Sequence, residues 1–261
     1  MDQIEKEWPV ADVLGIAKRL DDAVTSAIAT PQLEQPITLD EAYQVQAALL
    51  DCRYRRGEKR IGMKMGFTSR AKMIQMGVEE MIWGRLTDRM LVEDGGEIAF
   101  NTYVHPRVEP EIAFVLKAPL SGNVTPAGAL AAVGGVAPAL EIIDSRYKDF
   151  RFSLTDVVAD NSSSSSFVVG AWNDPGQDFS NLGMILEIDG VAKQIGSSAA
   201  ILGHPLRSLV AAARLAEAAG EPLQAGSVVM AGGATAAEAL APGQHVRLVV
   251  HKLGRVEFNV K

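Results

Sequence analysis

Between Ala11 and Ala29, apolar residues fall at Val13, Leu14, Ala17, Leu20, Val24 and Ile28, with Lys18, Arg19, Asp21 and Asp22 between them. That 3.6-residue spacing predicts an amphipathic helix. Pro31 and Pro36 bracket a loop, and Thr38, Leu39, Asp40, Glu41 then has the T-x-x-E form of a capping box. A second helix is expected from there to about Arg56, stopping at Gly57. Gly62 to Gly66 is strand-like, and Ser69 to Met76 reads as a short helix closed by Gly77. Past Ile98 the pattern becomes strand-rich. Strands are expected at Val108 to Lys117 and Ala139 to Asp144, with Pro138 just ahead of the second. An Ala-rich helix starts at Thr125 and Pro126. Met184 to Ile195 is expected as a hairpin on Asp189 and Gly190, Ser208 to Ala219 as a helix ending at Gly220, and His245 to Val260 as a closing hairpin through Gly254.

This order lacks a regular βαβ alternation, which argues for a mixed α+β core. The reading divides the chain into a helical N-terminal section, residues 1–90, and a catalytic core, residues 91–261. A chain of 261 residues suffices for one such core with an appendage. Hydrophobic content of 48% with 22% charged residues is that of a folded chain. The net charge of -7 argues against a nucleic-acid partner. The basic run Arg53, Tyr54, Arg55, Arg56, Lys59, Arg60 sits where a helix ends and complements its dipole. Met1 to Val10 lacks the features of a signal peptide, and no apolar run approaches the ~20 residues of a membrane span. Cys52 is the lone cysteine, on the apolar face of the second helix, and is expected to be buried and inert. Cytoplasmic residence is the expectation.

Glu109 and Glu111 flank Pro110 on a strand and point the same way. Two readings stand: a solvated sheet face, or a shared cation site, because like charges so placed repel unless hydrated, protonated or bound to a cation. Glu141 tilts the balance. It lies inside Ala139, Leu140, Ile142, Ile143, where a carboxylate is costly unless paired or ligating a metal. Three carboxylates on neighbouring strands suit a hard ion, Mg²⁺ or Mn²⁺. Lys64, between Met63 and Met65, is either an edge-strand lysine facing water or part of a site. Ser162 to Ser166 is either a linker or an ordered turn rich in hydroxyl donors. His105, His204, His245 and His251 have no zinc-ligand or triad spacing.

Together, Val108, Glu109, Pro110, Glu111, Ile112, Ala113 and Glu141, Ile142, Ile143, Asp144, Ser145, Arg146, Tyr147 resemble the fumarylacetoacetase C-terminal superfamily. Ala159, Asp160, Asn161, Ser162, Ser163 adds to the resemblance, as do Leu202, Gly203, His204, Pro205, Leu206 and Gly232, Gly233, Ala234, Thr235. It spans roughly Gly62 to the C-terminus and is strongest to the branch that decarboxylates 2-oxo-3-hexenedioate (4-oxalocrotonate) or hydrates 2-oxopent-4-enoate in aromatic meta-cleavage.

The resemblance implies a mixed β-sheet roll, Mg²⁺ on Glu109, Glu111 and Glu141 chelating a small 2-oxo dicarboxylate, and Lys64 as the active-site lysine. It offers Arg146, Asn161, Ser163 and Thr235 as substrate contacts. It also implies a homo-oligomer and a complex with a partner hydratase. Ile82 stands where the hydratases resemble one another in carrying a proton-transferring aspartate, so decarboxylation to 2-hydroxy-2,4-pentadienoate and CO₂ is the expected activity. The hydratase activity and a non-catalytic subunit of a partner hydratase remain as alternatives. The hydrolase branch uses a histidine ahead of the metal strand, and none precedes His105.

Overall fold

The computed structural model describes residues 12–69, 73–74 and 80–261. The predicted helix from Ser69 to Met76 and the segment Met1 to Val10 fall largely outside these. The helices are α1 (Val13–Ser26), α2 (Leu39–Arg55), α3 (Pro126–Ala132), α4 (Leu154–Ala159) and α5 (Pro205–Ala218). The strands are β1 (Arg60–Gly66), β2 (Ile82–Thr87), β3 (Leu91–Val92), β4 (Glu97–Ile98), β5 (Pro106–Leu116), β6 (Val133–Asp144) and β7 (Ser164–Val169). They continue with β8 (Gly183–Ile188), β9 (Val191–Ser197), β10 (Val228–Met230), β11 (Glu238–Ala239), β12 (His245–Val250) and β13 (Gly254–Val260).

Local chemistry accounts for most boundaries. Thr38 accepts the Glu41 amide and Glu41 returns to the Thr38 amide, so the capping box opens α2. Thr125 caps α3 by accepting the Gly128 amide. The hairpin between β8 and β9 turns on Asp189 and Gly190, both with positive φ, as a two-residue primed turn requires. Two boundaries differ from the sequence reading. Helix α5 starts at Pro205 rather than Ser208, because His204 Nδ1 accepts the Leu206 amide and proline fits the first turn. Strand β6 runs through Pro138, not from beyond it. Its carbonyl accepts from Gly170 at the end of β7, so its nitrogen faces that same side, where the β7 ladder is only beginning. Cys52 is half-buried rather than enclosed.

Two sheets form the body. One has eight strands in the order β2-β1-β10-β5-β6-β7-β3, with β11 pairing β5, and the other runs β4-β13-β12-β8-β9. The β1-β10, β3-β7 and β4-β13 pairs are parallel, and the others are antiparallel. The mixed α+β reading holds. Strands β1 and β2 come from the stretch the sequence pattern grouped with the helices, yet they belong to the larger sheet.

Strand β5 has two faces. Val108, Ile112, Phe114 and Leu116 join the main apolar cluster with the second sheet and α5. Arg107, Glu109, Glu111 and Ala113 alternate with them on the other face. On that face Ala113 packs with Leu86, Met90, Ala139, Phe167 and Met230, while α1, α2 and α4 form a separate cluster that includes Leu20, Val45, Leu49, Val158 and Ile82 of β2. Gln46 ties the helices to the sheet by donating from Nε2 to the carbonyls of Trp83 and Val158, at 3.1 and 2.8 Å. Tyr43 stacks on Trp83. No described helix is long and apolar enough to cross a membrane.

Candidate metal centre

Residue Glu109 on β5 stands directly opposite Glu141 on β6, and Glu111 opposite Ala139, in one antiparallel register. Alternation puts Glu109, Glu111 and Glu141 on the same face, and one oxygen from each lies within 4.8 Å of the others. Glu111 and Glu141 are both 0% exposed.

The loop after β10 crosses over this cluster. Ala231 donates to the Ile112 carbonyl and Ala234 to that of Pro110, each at 2.9 Å. Between them the Gly232 amide turns to Glu111 Oε2 at 2.8 Å. Gly232 has φ +101, and a Cβ there would lie 2.1 Å from Thr68 Oγ1, so only glycine fits.

Lys64 is not an edge residue. Strand β1 lies between β2 and β10, and the side chain is buried with its Nζ 3.2 Å from both oxygens of Glu141. Burial pushes the Glu111 carboxyl well above the usual carboxylate range, helped by the charges of Glu141 and Glu109 and opposed by Lys64 and the Gly232 amide. Burial raises Glu141 too, with Lys64 pulling it back and Glu109 adding to the rise.

Oε1 of Glu111 and Oε1 of Glu141 are buried and accept no hydrogen bond. Acceptor oxygens left so are expensive. An all-oxygen set with two buried acceptors that take no hydrogen bond, one of them faced only by the Lys64 ammonium at 3.2 Å, fits a hard divalent cation, which would engage both and remove the mutual repulsion.

A cleft of about 420 Å³ opens above the cluster. Lys64, Ile82, Arg107, Glu109, Ser163 and Phe150 are among its lining residues. The Ser163 hydroxyl is buried without a hydrogen-bond partner. Asn161, Ser162 and Ser163 all have positive φ, an ordered and strained turn rather than a linker.

The other residues singled out from the sequence are engaged elsewhere. Arg146, 1% exposed, pairs with Asp160 at 2.5 Å and donates to the Asp160 and Ser164 carbonyls. Asn161 hydrogen-bonds both the amide and the carbonyl of Arg85. Thr235 donates to the Ala236 carbonyl, and its methyl packs toward Gly196 on β9. None of the three lines the cleft. Arg107, Ile143, Phe150 and Phe152 do, and sequence reasoning passed over them. The same two-residue alternation that paired Glu109 with Glu111 also reaches Arg107, and from Glu141 it reaches Ile143.

Comparison with known proteins agrees with this architecture. A 4-oxalocrotonate decarboxylase of Pseudomonas sp is 61% identical over 246 residues, 94% of this chain and 96% of that one. A 2-keto-4-pentenoate hydratase of Paraburkholderia xenovorans (strain LB400) is 36% identical, covering 85% of this chain and 84% of the hydratase. The solved structure of 4-oxalocrotonate decarboxylase from Pseudomonas putida G7, complexed with magnesium and adipate, superposes with a TM-score of 0.92 at 38% identity, over 95% and 97% of the two chains. Residues 68–261 match the family described as Fumarylacetoacetate (FAA) hydrolase C-terminal, and the chain belongs to that family.

Proposed function

We propose that this protein is a Mg²⁺-dependent decarboxylase converting 2-oxo-3-hexenedioate (4-oxalocrotonate) to 2-hydroxy-2,4-pentadienoate and CO₂. The observation that carries the reading is the convergence of Glu109, Glu111 and Glu141, two of them with a buried oxygen that accepts no hydrogen bond, beneath a cleft walled by Ile82. The similarity to decarboxylases over nearly the whole chain supports it.

Glu109, Glu111 and Glu141 would hold the cation. When bound, Mg²⁺ supplies a Lewis acid that draws electron density toward the 2-oxo group of a chelated 2-oxo acid. In the proposed step the C5–C6 bond breaks and its electron pair passes through C3=C4 to the C2 oxygen. The C6 carboxylate departs as CO₂, and the oxygen takes a proton. Lys64, at the floor of the cleft, offsets the charge gathering on that oxygen and is the donor for its protonation. Ile82, Ile143, Val157 and Phe152 give the cleft apolar walls. Adding water to the product would demand a proton-moving side chain, and Ile82 has none.

Incubation of the purified protein with Mg²⁺ and 2-oxo-3-hexenedioate should release CO₂. Turnover of 2-hydroxypentadienoate without CO₂ would instead mark a hydratase. Glu109→Ala should abolish Mg²⁺ binding and turnover together, whereas a non-catalytic subunit of a hydratase would leave the activity of the complex intact. We carry forward from the sequence resemblance a cytoplasmic location, a homo-oligomer and association with a hydratase that consumes the dienol. Size-exclusion chromatography with and without that hydratase tests the last two.

A further inference from the structure

Among the described residues that line the cleft, Lys64 is taken up by Glu141. One cation remains among the described residues that line it, Arg107. It lies on β5, one side-chain repeat from Glu109 on the same face, which at ~3.3 Å per residue is a step of about 7 Å along the strand. Five C–C bonds of about 1.5 Å in a zigzag span about 6 Å between the two carboxyl carbons of a six-carbon diacid. The strand therefore roots Arg107 about one substrate length from Glu109, with both side chains lining the same cleft.

The Arg107 guanidinium rests over the Phe150 ring, with its central carbon 4.3 Å from the centroid. A guanidinium seated on a ring keeps its in-plane N–H donors for a carboxylate, and among the described residues no acceptor takes them. Phe150 is itself held with φ +53, a conformation bulky side chains rarely adopt. His105 and Phe152 meet its ring edge-to-face, at centroid distances of 6.2 and 5.3 Å. The aromatic shelf is braced to keep that strained residue beneath the arginine.

We propose that Arg107 binds the carboxylate at the far end of the substrate and so selects six-carbon 2-oxo diacids over 2-oxo monoacids. This rests on the metal-chelation reading above. The charge on that carboxylate vanishes as CO₂ leaves, so the contact serves binding and selection rather than the bond-breaking step.

The test is calorimetric titration of the Mg²⁺-loaded protein with 2-oxohexanedioate and 2-oxohexanoate. Both are saturated and lack the conjugation that allows loss of CO₂, and they differ only in C6. The wild type should bind the diacid at least about tenfold more tightly, as one charge-assisted contact warrants. Arg107→Gln should erase that preference and leave the monoacid affinity unchanged, with Arg107→Lys between. With 2-oxo-3-hexenedioate, Arg107→Gln should raise KM without lowering kcat. Equal weakening of both ligands, or undiminished diacid preference in Arg107→Gln, would overturn the proposal while the chelation reading stands. Failure of both ligands to bind the loaded wild type would overturn both. An unchanged melting temperature of the variants excludes misfolding as the cause.

Discussion

The ammonium of Lys64 sits 3.2 Å from both oxygens of Glu141, in a spot where the lysine is 4% exposed and the glutamate not at all. The two come from strands that are not neighbours, since β10 and β5 lie between β1 and β6. Their pairing crosses the face of the sheet, and it is what keeps a buried carboxylate tolerable before a metal arrives. Lys64→Met removes one partner and strands the other. The metal-free variant should lose about 3 to 5 kcal/mol of stability, with Mg²⁺ restoring most of it, because the cation takes over the role of counter-charge. Turnover should fall at least about a hundredfold even at saturating Mg²⁺, as a lost proton donor implies. Thermal melts with and without Mg²⁺, beside CO₂ release, separate the two effects. Retained turnover would remove Lys64 from the proposed step.

Glu111→Gln should act in the opposite sense on stability. It replaces a desolvated acid, surrounded by like charges, with a neutral isostere. The metal-free variant should melt higher than the metal-free wild type, yet gain nothing from Mg²⁺ and release no CO₂. A metal-free variant less stable than the wild type would contradict the electrostatic account.

Acidity changes the metal-free protein in a direction set by the same residue. The folded-state pKa of Glu111 lies above its ordinary 4.5, so the folded form keeps a proton that the unfolded chain gives up. This contribution is fully present below the unfolded value and is lost as pH rises through the raised folded value. Mg²⁺ binds the ionised carboxylates and displaces the proton, so its stabilising effect must grow with pH. Differential scanning calorimetry should show a larger Mg²⁺-induced rise in Tm near pH 8 than near pH 5. Equal shifts at both would sink the argument.

Arg146 and Asp160 form a clamp beneath the strained turn at Asn161 to Ser163. Arg146→Met should cost about 3 to 5 kcal/mol, since it abandons a buried charge. Arg146→Lys should recover little, because an ammonium cannot reproduce the fork that grips both the carboxylate and the Asp160 carbonyl. Asp160→Asn should cost at least as much as Arg146→Met, because it strands a buried guanidinium that cannot shed its charge, whereas burial has already pushed the Asp160 carboxyl up to about 6 and so toward the neutral form. Chemical denaturation of the variants provides the comparison. Intact stability in Arg146→Met would contradict the clamp.

The site was partly legible because its centre is local in sequence. The same-face pair Glu109 and Glu111 follows from strand alternation, and the oddity of Glu141 follows from its apolar flanks. What stayed hidden depends on contacts between distant segments. Lys64 and Glu141 are 77 residues apart, joined through a parallel β1-β10 pairing that no local pattern announces. Likewise, nothing adjacent to Arg146 distinguishes an arginine locked onto Asp160 from one facing the cleft, whereas Arg107 shares the alternation of Glu109 and was open to the same inference. The extent of the larger sheet was obscured for a related reason. Strands β1 and β2 are followed or preceded by helical patterns, and only the pairing of β1 with β10, which itself pairs with β5, reveals them as part of the body.

From Arg107 to Ile112, strand β5 gives its odd positions to charge and its even positions to the apolar side. Substitutions there can alter ligand chemistry or packing one at a time. Insertion or deletion of a single residue within it cannot, because a shift of one position would carry Glu109 and Glu111 into the apolar interior and lift Val108 and Ile112 into the cleft. Variation among descendants of this strand is thus confined to exchange of side chains, at fixed length, between the flanking loops.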